Sequence, residues 1–152
     1  MNNWLNLEND LVKWLRKFSG ENLQFRNSYQ AIIGFPQDGF RSDGMLTDGK
    51  VLLAIEVEAG QMHPDTNVGK YWLLHTEYKA FEKIILVHVY TPRFDSYGWR
   101  KKLGEFYAKK MEAEIPFEYI PIDKRDSKDY EIVFNEVKRV LKDRIEKEFI
   151  PA

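Results

Sequence analysis

Asp43, Glu56 and Glu58 are the residues whose types and spacing could do chemistry in this chain. Asp48-Gly49 lies between two apolar runs, a strong hairpin signal. A two-residue turn pairs Thr47 with Lys50, which sets Leu46 against Val51, Met45 against Leu52, Gly44 against Leu53 and Asp43 against Ala54. Arg41 then faces Glu56. Side chains alternate with period two, so Asp43, Ala54, Glu56 and Glu58 are expected on one face. Asp43 and Glu56 become diagonal neighbours, with β-carbons roughly 7 Å apart. Two carboxylates at that spacing can hold one divalent cation. The competing reading of Glu56-Val57-Glu58 is the solvated face of an edge strand. Against it, Val51 to Val57 is apolar on both faces up to Glu56, the pattern of a covered interior strand. Like charges there are costly unless a cation or a proton neutralises them. Asp48 has its own structural reason in the turn.

Helper groups follow the second strand of the hairpin. Asn67 and Lys70, three apart, share one face near the start of a helix, an end expected to face the carboxylates. Gln61 and Asn67 are candidates to orient water or phosphate, and His63 to contact substrate, although all three types are also ordinary in loops and first helical turns. Glu8 in the first helix could reach the site, but a solvated position is the expectation. His75 and His88 read as structural, and the three histidines lack zinc-like spacing. Arg93, Arg100, Lys101, Lys102, Lys109 and Lys110, interleaved with Tyr97 and Trp99, could form a backbone-binding surface with stacking platforms. The same pattern is the wet side of an amphipathic helix, and that reading has the slight advantage.

The elements that must position these groups form one domain. The 152 residues suit a single core, with net charge −1 and no cysteine. Thiolate metal sites and cysteine nucleophiles are thereby excluded. No apolar run approaches a membrane span and no signal peptide is evident, so a cytoplasmic protein with no membrane partner is expected. A helix is expected from about Asn6 to Phe18, then strands over Tyr29–Phe35, Phe40–Leu46 and Val51–Glu58 as an antiparallel meander. Asp65 or Thr66 should cap a helix running to about Phe81. Ile84–Tyr90 should be a buried strand parallel to Val51–Glu58. A helix over Asp95–Glu112, a strand over Phe117–Ile122 and a helix over Asp129–Phe149 complete it. The order α-β-β-β-α-β-α-β-α predicts a three-layer α/β fold with a central mixed five-stranded sheet flanked by helices.

This order, with Ser42-Asp43-Gly44 on the second strand and Glu56-Val57-Glu58 on the third, resembles the PD-(D/E)XK nuclease superfamily, the restriction-endonuclease-like fold. The resemblance covers roughly Leu7 to Tyr90. Asp43 and Glu56 match its two acids. Glu58 stands where lysine is usual and Ser42 where proline is usual. Glutamate at that position looks like a variant of the motif, and a second variant carries the amine on the following helix, where this chain has Lys70. The resemblance implies a metal-dependent nuclease that hydrolyses phosphodiesters in nucleic acid, DNA foremost, with Mg²⁺ as cofactor and Mn²⁺ as substitute. Asp43 and Glu56 would bind the metal. Glu58 would accept a proton or complete the metal shell, and Lys70 would offset charge on the phosphate. A homodimer would serve two-strand cutting. The alternatives are a catalytically inactive nucleic-acid-binding module of the same fold, and a protein-interaction or regulatory domain.

Overall fold

A computed structural model describes residues 4–28, 40–60, 63–94 and 98–150. The elements run α1 (Trp4–Arg16), β1 (Gln24–Ser28), β2 (Arg41–Thr47), β3 (Val51–Glu58), α2 (Pro64–Tyr78), β4 (Lys83–Tyr90), α3 (Gly98–Glu114), β5 (Phe117–Asp123) and α4 (Tyr130–Phe149). This is the expected order. The five strands form one mixed sheet in sequence order, β1–β2–β3 antiparallel and β3–β4–β5 parallel.

The sheet is covered on both faces, which is why β3 and β4 are apolar nearly throughout. Leu53, Ile55 and Val57 of β3 pack with Leu7, Leu11 and Leu15 of α1 and Val133, Val137 and Leu141 of α4. Leu52 and Ala54 point the other way, to Val68, Tyr71 and Leu74 of α2 and Ala108 and Met111 of α3. Glu56 and Glu58 continue the Leu52–Ala54 side of β3, beneath α2. Both are essentially buried, Glu56 at 2 % and Glu58 at 0 % exposure. The solvated edge-strand alternative therefore fails.

The strand expected over Tyr29–Phe35 lies outside the described residues, and the strand paired with β2 is Gln24–Ser28. Only Phe25 in that segment is apolar, so it reads weakly as a strand. An edge strand with one core contact needs no more.

The hairpin register differs by two residues: Thr47 pairs with Leu52, Leu46 with Leu53, Met45 with Ala54 and Gly44 with Ile55. Side chains at the turn cause this. Asp48 Oδ1 accepts from the amides of Lys50 and Val51, each at 2.9 Å. Thr47 Oγ1 donates to the Val51 carbonyl at 2.7 Å and accepts from the Gly49 amide at 2.9 Å. Gly49, at φ +95°, supplies the left-handed turn. These bonds replace the ladder contacts of a two-residue turn. A shift of two keeps every residue of the ladder on its expected face.

The α2 boundaries also move. His63 occupies the N-cap, Pro64 the first turn, and Lys79 ends the helix at φ 54°.

Candidate active site

The ladder between β2 and β3 stops at Gly44, and the site begins there. A side chain on Gly44 would point to Ile55 and to Val12 of α1. Ser42, two residues earlier, reaches the opposite side, with its hydroxyl 3.0 Å from the Tyr71 hydroxyl of α2. It also donates toward the Ile55 and Gly44 carbonyls, each at 3.2 Å. Regular alternation is thus broken at Asp43. The Asp43 carboxylate is drawn against the end of β3 and accepts from the Val57 amide at 2.7 Å. It meets Glu8 on one side and acts electrostatically on Glu56 on the other.

Glu8 is therefore at the site and not simply solvated. Glu8 and Val12 lie one turn apart on the same side of α1. Val12 rests over Gly44, where the missing side chain lets the helix come close, and this carries Glu8 to Asp43. The hydrogen bond with Asp43, with burial and the charges of Asp43 and Glu56 in support, pushes the Glu8 carboxyl up to about 8. Burial, with the nearby Asp43 charge, raises Glu56 to about 7, while Lys70 and Tyr71 pull it down. Three carboxyl groups from α1, β2 and β3 converge, and protons partly neutralise them.

α2 supplies the opposing charge. Lys70 Nζ lies 2.8 Å from Glu56 Oε2. It also donates to the Arg41 carbonyl at 2.7 Å and to Asn67 Oδ1 at 3.3 Å. The Tyr71 hydroxyl donates to Glu56 Oε2 at 2.6 Å. By its spacing Tyr71 belongs only to the apolar stripe of α2; its place beside Lys70 and one turn beyond Asn67 is the signal that marks it.

Glu58 has separate partners. Its Oε2 accepts from Asn67 Nδ2 and lies against His88 Nε2, both at 2.7 Å. The two glutamates of Glu56-Val57-Glu58 are thus balanced separately, by Lys70 and by the His88–Asn67 pair. The crowding of carboxyl groups lies among Glu8, Asp43 and Glu56.

His63 is exposed, and its Nδ1 lies 3.0 Å from Arg100 Nη1, which also reaches Asp65 at 3.4 Å. That contact places it with α3 and not among the carboxylates. Gln61 and Tyr97 lie outside the described residues. The basic cluster on α3 is partly engaged: Arg100 stacks on Trp99, Lys101 pairs with Glu105, and Lys110 lies over Phe106. Exposed Trp99 and Phe106 keep aromatic faces toward solvent.

Among the described residues, no three His, Cys, Asp or Glu side chains form a ready-made metal cage. The donor set nevertheless suits Mg²⁺, a hard cation usually held by one or two carboxylates together with waters and substrate phosphate. No family model, curated protein or solved structure matches this chain significantly.

Proposed function

We propose that this protein is a Mg²⁺-dependent nuclease, a variant of the PD-(D/E)XK superfamily, that hydrolyses phosphodiester bonds in nucleic acid, DNA foremost. The observation that carries the reading is the convergence of Glu8, Asp43 and Glu56, from three elements, beside Lys70.

Asp43 and Glu56 would hold the metal, with Glu8 completing the acidic rim. The metal would polarise the phosphate and acidify water, the two tasks that make phosphodiester hydrolysis accessible near neutral pH. Lys70 balances the charge of Glu56 and sets positive charge where a phosphate would gain negative charge. Glu58 takes the proton released as water attacks. Tyr71 orients Glu56 by its hydrogen bond. Arg93 and the cations of α3, with Trp99 beside them, suit a phosphate backbone and unstacked bases. A homodimer would bring two such sites to two strands, and the cytoplasm is the compartment that fits.

One observation favours a second reading, a module of this fold that binds nucleic acid without cutting. Lys70 itself offsets the charge of Glu56, 2.8 Å away. That reading predicts binding indifferent to Mg²⁺.

The test is incubation of the purified chain with plasmid DNA, single-stranded DNA and RNA, in Mg²⁺, Mn²⁺ or chelator. Cleavage products are expected with either ion and none with chelator. Intact substrates of every kind, from folded protein in either ion, would overturn the proposal.

A further inference from the structure

Glu58 belongs to a buried chain of polar groups that runs on to His88, Tyr90 and Tyr119, three residues the reaction above does not use. Its direction follows from donors and acceptors alone. The Lys70 ammonium can only donate, so the Asn67 group it touches is the oxygen, Oδ1. Asn67 Nδ2 therefore faces Glu58 and donates to Oε2. That oxygen, already the acceptor for Asn67, lies 2.7 Å from His88 Nε2, an arrangement that suits a proton on Nε2. At the other ring nitrogen, Nδ1, the hydroxyls of Tyr119 and Tyr90 stand at 2.8 and 3.3 Å. Burial, in both cases the largest cause, raises both phenols above their ordinary range, so they stay protonated and can donate. His88 and Glu58 are each 0 % exposed. Glu58 Oε2 is thus doubly occupied, while Oε1 is buried with no hydrogen-bond partner among the described residues.

We infer that His88 is a positioning residue: as its Nε2–H tautomer, fixed by the Tyr119 hydroxyl at Nδ1, it clamps Glu58 Oε2 and leaves Oε1 as the one oxygen free to accept. The geometry alone supports the tautomer. Its use in cleavage rests on the hydrolytic reading above, because a proton acceptor works only if held in one orientation.

Two measurements test this on the full chain. Side-chain ¹⁵N NMR should show His88 protonated at Nε2 and bare at Nδ1 at neutral pH. A proton on Nδ1, or a ring averaging between tautomers, overturns the clamp. In cleavage assays, H88L should lower kcat roughly tenfold to a hundredfold with KM little changed. H88Q, whose amide can still donate to Glu58, should recover most of that loss. A merely space-filling role predicts that H88Q loses as much as H88L, and that result overturns the inference. The spectrum reads the clamp even if the wild-type protein cuts nothing. The expected tautomer in a protein without activity keeps the clamp and removes only the hydrolytic reading.

Discussion

Glu56→Gln and Asp43→Asn should each reduce metal-dependent cleavage by about 10³-fold or more, equivalent to about 4 kcal/mol of barrier, and leave the fold in place. Both changes keep size and an acceptor oxygen. Glutamine at position 56 can still accept from Tyr71, which now bonds Glu56 Oε2 at 2.6 Å. Asparagine at position 43 can still accept from the Val57 amide. What each change removes is negative charge, the property a divalent cation requires. Glu8→Gln should cost less, on the order of tenfold, since Glu8 is only half-buried and holds a proton up to about 8. Single-turnover cleavage rates with Mn²⁺ and circular dichroism of each variant provide the check. Either of the first two variants cutting at the wild-type rate would remove its carboxylate from the mechanism.

Lys70→Met should destabilise the protein in a way that grows with pH. The ammonium lies 2.8 Å from Glu56 Oε2, and the Glu56 side chain is 3 % exposed. Removing one member of a buried pair leaves an uncompensated charge, at a cost of about 3 kcal/mol. Glu56 can escape part of that cost by taking a proton. Burial already lifts it from 4.5 to about 7, with Lys70 opposing the rise. A carboxyl raised on folding stabilises most below its unfolded pKa, and that contribution is lost as pH climbs through the folded value. In the wild type the loss falls between about 4.5 and about 7. Without Lys70 the folded value rises further, so the decline extends to higher pH. Urea unfolding should therefore show a penalty of about 1 kcal/mol at pH 5.5 and about 3 kcal/mol at pH 8.5. An equal penalty at both would mean that the pair contributes little beyond packing of the lysine stem.

Much of the fold and part of the site are legible in the residues, and the failures have local causes. β3 can be bounded because an apolar run with two internal glutamates, preceded by Asp-Gly, fits little besides a covered strand that follows a tight turn. The faces of Glu56 and Glu58 follow from period two alone. The register does not, because Thr47 and Asp48 spend their side chains on backbone groups at the turn. Strict alternation at Asp43 misses the break at Ser42, which depends on a hydroxyl in α2, distant in sequence. Lys70 and Asn67 stand out because three residues along a helix make neighbours. Glu8 does not, because its value lies in what Gly44 allows, a close approach between elements that no single-segment pattern displays. His88 reads as structural, and it is buried, but its partners Glu58 and Tyr119 come from adjacent parallel strands whose register only the fold sets.

Glu8, Asp43 and Glu56 are proposed to share one divalent cation in place of their protons. Calorimetric titration with Mn²⁺ at pH 7, run in two buffers of different ionisation enthalpy, measures both the binding and the proton release. One ion per chain should bind with release of about one proton, because the carboxyl held up to about 8 must deprotonate for the cation to enter. Binding should vanish in Asp43→Asn. Absence of heat at millimolar Mn²⁺, or binding untouched by that substitution, would rule out a shared cation at these carboxylates.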